Sequence, residues 1–354
     1  MRPLTLAVLG GAALASVAAA LLLSPADDGS DVKLGVRLFP ELTSRAAEVQ
    51  TIELQRPDGP VVLRRSGDGW ILPDRAGYVA DTARIRQLFF EVSELRSLEA
   101  KTRSRDVYPS LEVEDRDAPE AKSTRVAFKT AQGQEITALL AGKNRFGRGG
   151  GGEDAVYVRR AGDPQAWLAK GRLMVNRDAL QWLDRGLTDI ARERVREAAI
   201  RHADGSRTVV SRTDPTERDF DVADIPDGRK PRSGWEVGSV AAAFEKLELE
   251  DVRKAEGIAI PADGLVATVT TFDGLEVSAR FVEIDGAQWT AFSAKAAPPE
   301  KLPEGGISLK PAAEVRAEAD RINARVSPWL YRLPVFNFEN MRRRVEDLLE
   351  PKDS

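Results

Sequence analysis

The chain holds few residues suited to chemistry, and their spacing argues against most of the reactions they could serve. The run Gly147-Arg148-Gly149-Gly150-Gly151-Gly152, with Lys143 and Arg145 just ahead of it, has the composition of a phosphate cradle. A phosphate loop needs its glycines before a Lys-Ser/Thr pair that opens a helix, so that backbone N–H groups and the helix dipole face the anion. Here the lysine precedes the glycines and a strand pattern follows them, which reads as a hairpin loop. Its basic residues Lys143, Arg145 and Arg148 remain candidates for contact with an anionic partner. Asp214, Asp219, Asp221, Asp224 and Asp227 crowd a second loop. They lack the alternate ligand positions, central glycine and closing glutamate of a calcium loop, so a solvated excursion is expected. Ser30 and Lys33 match a bare S-x-x-K pattern without the further motifs that a nucleophilic serine needs. His202 falls on a strand beside a turn, which reads as an ordinary surface or edge position. Finally, the stretch from Trp329 to Phe338 is rich in aromatics. Such a segment more often packs across a sheet as the last piece of core; as the other reading, a partner-binding patch or interfacial belt, it makes Trp329, Tyr331 and Phe336 candidate partner contacts. Arg342, Arg343 and Arg344 are balanced by Glu346, Asp347 and Glu350, a weak signal for lipid.

The elements that must position these residues recur twice in order. Ile52-Glu53-Leu54, the turn Asp58-Gly59, Val61-Val62-Leu63 and then Trp70 are matched later in the chain. There the counterparts are Ala199-Ile200-Arg201, Asp204-Gly205, Thr208-Val209-Val210 and Trp235. Asp-Gly between alternating apolar runs is a strong hairpin signal. After Trp70, Asp81 can cap a helix on which Ile85, Leu88, Phe89, Val92 and Leu95 share one face. Its counterpart is expected from near Gly238 through Leu249. Antiparallel strands then follow in both halves, turning at Gln132-Gly133 and at Asp273-Gly274. A linking helix is expected over 176–190, and two more helices close the chain, the last carrying Phe338, Met341, Val345 and Leu348.

Composition excludes several classes outright. The 354 residues contain no cysteine and one histidine, which removes disulfides, thiol catalysis and thiolate metal sites and leaves little room for zinc or a Ser-His-Asp triad. A net charge of −4 with a pI near 5.5 argues against nucleic acid. Residues 4–23 are apolar or small and uncharged. As a helix they would span a hydrocarbon core of roughly 30 Å. Arg2 before the stretch and Asp27, Asp28 and Asp31 after it place the N-terminus in the cytoplasm and the bulk outside. A cleavable signal peptide is the alternative, although Ala18 and Ala20 lie inside the apolar run.

The expected architecture is α+β: an N-terminal transmembrane helix, then two related modules, each an antiparallel sheet with a packed helix. The boundaries read as an anchor over 1–24, a tether over 25–47, modules over 48–190 and 191–310, and C-terminal helices over 311–354.

Several of these residues resemble a bacterial family known as the domain of unknown function numbered 4340. The resemblance rests on Leu38-Phe39-Pro40, Asp68-Gly69-Trp70 and Gly77-Tyr78-Val79-Ala80-Asp81. It continues through Leu140-Ala141-Gly142-Lys143 and Tyr157-Val158-Arg159-Arg160. It is strongest over 48–190, with the second module as a diverged copy, and departs at Val79, where proline is expected, and in the glycine loop. It implies an envelope-anchored protein whose relatives are often encoded beside ABC-type transport components.

Taken together, the residues point to a membrane-anchored periplasmic accessory protein of the bacterial inner membrane. It is expected to have no catalytic residues, metal or cofactor and to bind an envelope complex, which the resemblance implies to be of the ABC-type transport class. An envelope glycan- or lipid-binding module and a carboxylate-based hydrolase are the alternatives.

Overall fold

Period-two alternation drives most of the body into strands. In the computed structural model, which describes residues 34–55, 59–118, 120–147, 153–176, 178–298 and 309–351, these strands form two large sheets. The expected N-terminal membrane helix lies outside the described residues. Among those described, no helix is long and apolar enough to cross a membrane.

The chain begins with the short helix α1 (Pro40–Ser44), the hairpin β1 (Thr51–Gln55) and β2 (Val61–Ser66), then β3 (Gly69–Leu72) and β4 (Tyr78–Val79). Helix α2 (Thr82–Glu94) follows, then β5 (Arg96–Thr102) and the single turn α3 (Tyr108–Leu111). A meander closes this half: β6 (Thr124–Lys129), β7 (Glu135–Arg145), β8 (Ala155–Arg160) and β9 (Ala166–Lys170). The nine strands make one sheet in the order β4-β3-β2-β1-β6-β7-β8-β9-β5.

The second half starts with β10 (Gly186–Thr188), β11 (Val195–Arg201), β12 (Arg207–Ser211) and β13 (Asp221–Val222). Helix α4 (Gly234–Ala241), β14 (Leu247–Glu248), β15 (Asp251–Lys254), β16 (Val266–Thr271), β17 (Leu275–Ile284) and β18 (Ala287–Ala296) come next. The chain ends with α5 (Ala312–Val326), β19 (Trp329–Arg332) and α6 (Val335–Asn340). The second sheet runs β13-β12-β11-β16-β17-β18-β19-β15, and β10 pairs with β14 in a separate ribbon. Positions β2-β1-β6-β7-β8-β9-β5 therefore correspond one by one to β12-β11-β16-β17-β18-β19-β15. Every inter-strand pairing is antiparallel.

Local chemistry accounts for the main elements. Asp81 caps α2 by accepting from Arg84 N at 3.0 Å, and Ile85, Leu88 and Val92 are buried on its inner face. Phe89 fills the space between Trp70 and Phe128, with ring centroids 6.2 and 5.1 Å away. Gly133 and Gly274 take the positive φ that their hairpin turns require. A single apolar core runs from Phe39 through both sheets to Leu348.

Several expected elements form differently. The linking helix over 176–190 is instead a short 3-10 turn, Ala179–Trp182, followed by strand β10. Leu183, Leu187 and Ile190 are still buried, but Leu183 bridges to Ala80 and β10 pairs with β14. Tertiary pairing overrides the helical spacing there. The second helix begins earlier than Gly238, at Gly234, because Ser233 accepts from Glu236 N and caps it. Trp235 consequently stands exposed on the first turn of α4 and is no counterpart of the buried strand residue Trp70. The last helix breaks in two, since Arg344 is extended and is capped by Asp347. The C-terminal segment is not all helical: Trp329–Arg332 pairs with β15 and β18 inside the second sheet.

Candidate functional site

Helix α2 and the segment that returns from β9 enclose a groove of about 390 Å³. From the helix come Asp81, Arg84, Gln87, Leu88 and Glu91; from the returning segment come Met174, Asn176 and Trp182. The same interactions hold both walls. Glu91 accepts from Met174 N at 3.0 Å, and Gln87 donates to the other oxygen of Glu91 at 2.9 Å. Asp81 N donates to the Trp182 carbonyl at 2.8 Å, and the Trp182 indole N–H donates to the Asn176 carbonyl at 3.1 Å. Trp182 is buried, so its ring is a floor and not an exposed platform.

Phe90 lies one turn beyond Gln87 on the outer face of α2 and is 66% exposed; Met174 is 49% exposed. Two large apolar side chains beside amide and carboxylate groups suit a peptide segment, which offers both apolar side chains and backbone hydrogen-bonding groups. The sequence signal was present: with Ile85, Leu88, Phe89 and Val92 facing inward, Phe90 must face water. Met174 and Trp182 could not be joined to it from the sequence, because the groove exists only where the returning segment packs on the helix.

A second, more polar cleft of about 530 Å³ lies between α4 and the C-terminus, lined by Arg232, Arg342, Arg343 and Arg344 with Glu236, Glu339 and Asp347. Arg232 pairs with Glu236 at 3.1 Å, Arg342 with Glu339 at 2.7 Å and Arg344 with Asp204 at 2.8 Å. These pairs are solvent-exposed, and each adds little stability. Ser233 and then Arg232 hold the Glu236 carboxyl below its usual range.

The residues singled out from the sequence separate into three groups. Lys143 donates to the Ser110 carbonyl at 2.8 Å and so anchors the α3 turn. Arg145 ends β7 in an exposed position, and Arg148 lies outside the described residues. Ser30 and Lys33 also lie outside them. Tyr331 is wholly buried and Trp329 half-buried, and both pack against Tyr78 at the junction between the halves. Phe336 is 61% exposed beside an exposed Val335 and remains available. His202 is buried rather than at the surface, with Nε2 3.3 Å from the Thr208 hydroxyl. Burial and then the positive field of Arg344 push its pKa down.

Among the described residues, no three or more His, Asp or Glu side chains converge in a way that could hold a metal ion. Every described carboxylate with a shifted pKa is shifted down; Glu41, Glu53 and Glu318 are examples.

A family model described as Domain of unknown function (DUF4340) matches residues 70–265, more than half of the chain. The match begins at Trp70 and continues through α4 into the second half, beyond the 48–190 stretch where the resemblance was strongest. It takes in the whole α2 groove and leaves out Trp329, Phe336 and the C-terminal arginines. No curated protein and no solved structure matches.

Proposed function

The chain belongs to the DUF4340 family, and from that premise we propose that it is a membrane-anchored, extracytoplasmic accessory protein that docks another envelope protein. An ABC-type transport complex is the expected class of partner. Residues 4–23 serve as the anchor, and the first sheet module carries the docking surface. The observation that carries this reading is the α2 groove, where Met174, Gln87 and Glu91 stand over the buried Trp182 and exposed Phe90 lies on the same helix just outside the groove. Such a surface offers exposed apolar side chains next to amide and carboxylate groups, the mixture a protein partner can use.

The test is in-cell crosslinking and detergent purification, followed by mass spectrometry of what accompanies the protein. A membrane transport complex should be recovered with the wild-type chain and lost with Phe90→Asp. Arg343→Glu, at the other cleft, should retain it. Recovery of the protein alone, under conditions that preserve a known envelope complex, would overturn the reading.

A second reading, binding of envelope glycan, is favoured by Trp235, which is 69% exposed beside Arg232 and Glu236. An exposed indole is a stacking surface for a sugar ring. Sedimentation with purified cell-wall sacculi that disappears in Trp235→Ala would support it.

A further inference from the structure

The chain enters the described structure along the outer edge of the first sheet. Gly35 N donates to the Ser97 carbonyl at 2.7 Å, Ser97 N to the Val36 carbonyl at 2.9 Å and Leu38 N to the Leu95 carbonyl at 2.9 Å. Residues 35–38 thus form a short ribbon on β5, with Arg37 opposite Arg96. An outer strand normally presents unpaired backbone groups, and the ribbon covers this one at its first residues.

The ribbon does not bury its own apolar side chains. Leu34 is 59% exposed, Val36 44% and Leu98 40%. Leu34 and Val36 flank the Gly35–Ser97 hydrogen bond, and Leu98 follows Ser97 on the neighbouring strand, so all three lie at this edge of the sheet, Leu98 on the Arg37 and Arg96 face of it. Arg37 and Arg96 stand beside it and share the single carboxylate of Glu94. Two guanidinium groups against one carboxylate leave this corner with a net positive charge.

We propose that this ribbon is the face that the folded body turns to the bilayer, with Leu34, Val36 and Leu98 entering the interfacial region and Arg37 and Arg96 meeting lipid phosphates. The proposal rests on the reading of residues 4–23 as an anchor. Residues 24–33 connect that stretch to Leu34, and ten extended residues span at most about 35 Å. The body is thereby held within reach of the surface, and the exposed patch nearest the tether is this one. Apolar side chains flanked by arginines suit the headgroup boundary, where the side chains leave water and the charges meet anionic lipid. It also orients the protein: with β5 at the membrane, the sheet edge at β4 and the junction with the second half lie at the far side.

Because the chain has no cysteine, one introduced thiol gives one label. The full-length chain would be placed in nanodiscs of mixed phosphatidylcholine and phosphatidylglycerol. Nitroxides would be attached through Val36→Cys, Leu98→Cys, Phe90→Cys and Leu14→Cys in turn. Accessibility to oxygen, which concentrates in lipid, is then compared with accessibility to a water-soluble nickel chelate. The oxygen-to-nickel ratio should be several-fold higher at positions 36 and 98 than at position 90. A ratio at 36 and 98 equal to that at 90, with a lipid signature at 14, overturns the proposal and leaves the anchor standing. Low access to both reagents at 36 and 98 means that protein covers the patch, which also overturns it. An aqueous signature at 14 removes the anchor and this proposal together.

Discussion

Tyr78 of β4 meets Trp329 of β19 edge-on, with ring centroids 5.0 Å apart and planes at 88°. One ring belongs to the outer strand of the first sheet and the other to a strand near the edge of the second. Tyr331 lies 6.1 Å from the same tyrosine ring. Burial pushes the Tyr331 phenol well above its ordinary range and raises that of Tyr78 as well, so both keep their protons. Around them, Arg75 pairs with Asp251 at 3.0 Å and Arg325 with Asp184 at 2.8 Å. The two halves therefore share a packed seam in addition to a covalent connection.

That seam predicts coupled unfolding. The wild-type chain should unfold in urea in a single transition monitored by tryptophan fluorescence and by circular dichroism. Tyr78→Ala removes a buried aromatic and should cost about 3–5 kcal/mol. Two separated transitions in the wild-type protein would show that the seam carries no coupling.

A buried ion network fastens α5 to the second sheet. Arg194 reaches Asp273 at 3.0 Å and Glu318 at 2.9 Å, and Lys310 also meets Glu318, at 2.9 Å. Asp273 is almost wholly buried. Removing the arginine strands that carboxylate, so Arg194→Met should destabilise by about 3–5 kcal/mol in denaturant titrations at neutral pH. Glu318→Gln should cost less, because Glu318 is the more exposed partner of the two.

The same network sets the acid limit. Burial works to raise the Glu318 carboxyl, but hydrogen bonds from Arg194 and Lys310 outweigh it and hold the group below its usual range. A depressed folded-state value gives stability that is present above the unfolded value of about 4.3 and is lost as pH falls through the folded one. Urea midpoints measured downward from pH 5 should fall, and Glu318→Gln should flatten part of that slope. An unchanged slope in the variant would assign the acid limb to other carboxylates.

His202 acts in a higher window. Its folded-state value is depressed, first by burial and then by Arg344, so the neutral ring is the form that packs. The associated stability is complete above about 6.5 and is lost as pH drops below it. The slope there should not exceed about 1.4 kcal/mol per pH unit, the limit for one proton. His202→Gln should remove it between pH 7 and 5.5, which midpoints of thermal unfolding can read.

Gly142 marks a close crossing of backbone over β7. A Cβ there would lie 2.2 Å from the Leu111 carbonyl oxygen and 2.8 Å from Val113 Cγ1. Backbone on the far side cannot rotate away as a side chain can, so Gly142→Ala should cost about 1–3 kcal/mol. Calorimetry would reveal the loss as a lowered melting temperature.

Much of the framework was legible because it is written in local chemistry. Asp81 caps its helix whatever surrounds it, Gly133 and Gly274 admit turns that other residues resist, and alternation at Ile52 and Leu54 marks a strand with one wet face. The order hairpin, helix, meander could therefore be read twice along the chain. What depended on partners distant in sequence could not. Strand β9 begins at Ala166, 64 residues after β5 ends at Thr102, and β5 is held in the sheet by its pairing with β9. Leu180 and Leu183 have helical spacing, yet contacts with Ala80 and β14 decide their conformation. That Trp329 and Tyr331 pack against Tyr78 of the other sheet could not be read from their own segment. The groove lined by Gln87, Met174 and Trp182 follows the same rule. Capping, turn and alternation energies act between neighbours in the chain, whereas burial and sheet pairing are settled only when the whole chain has collapsed on itself.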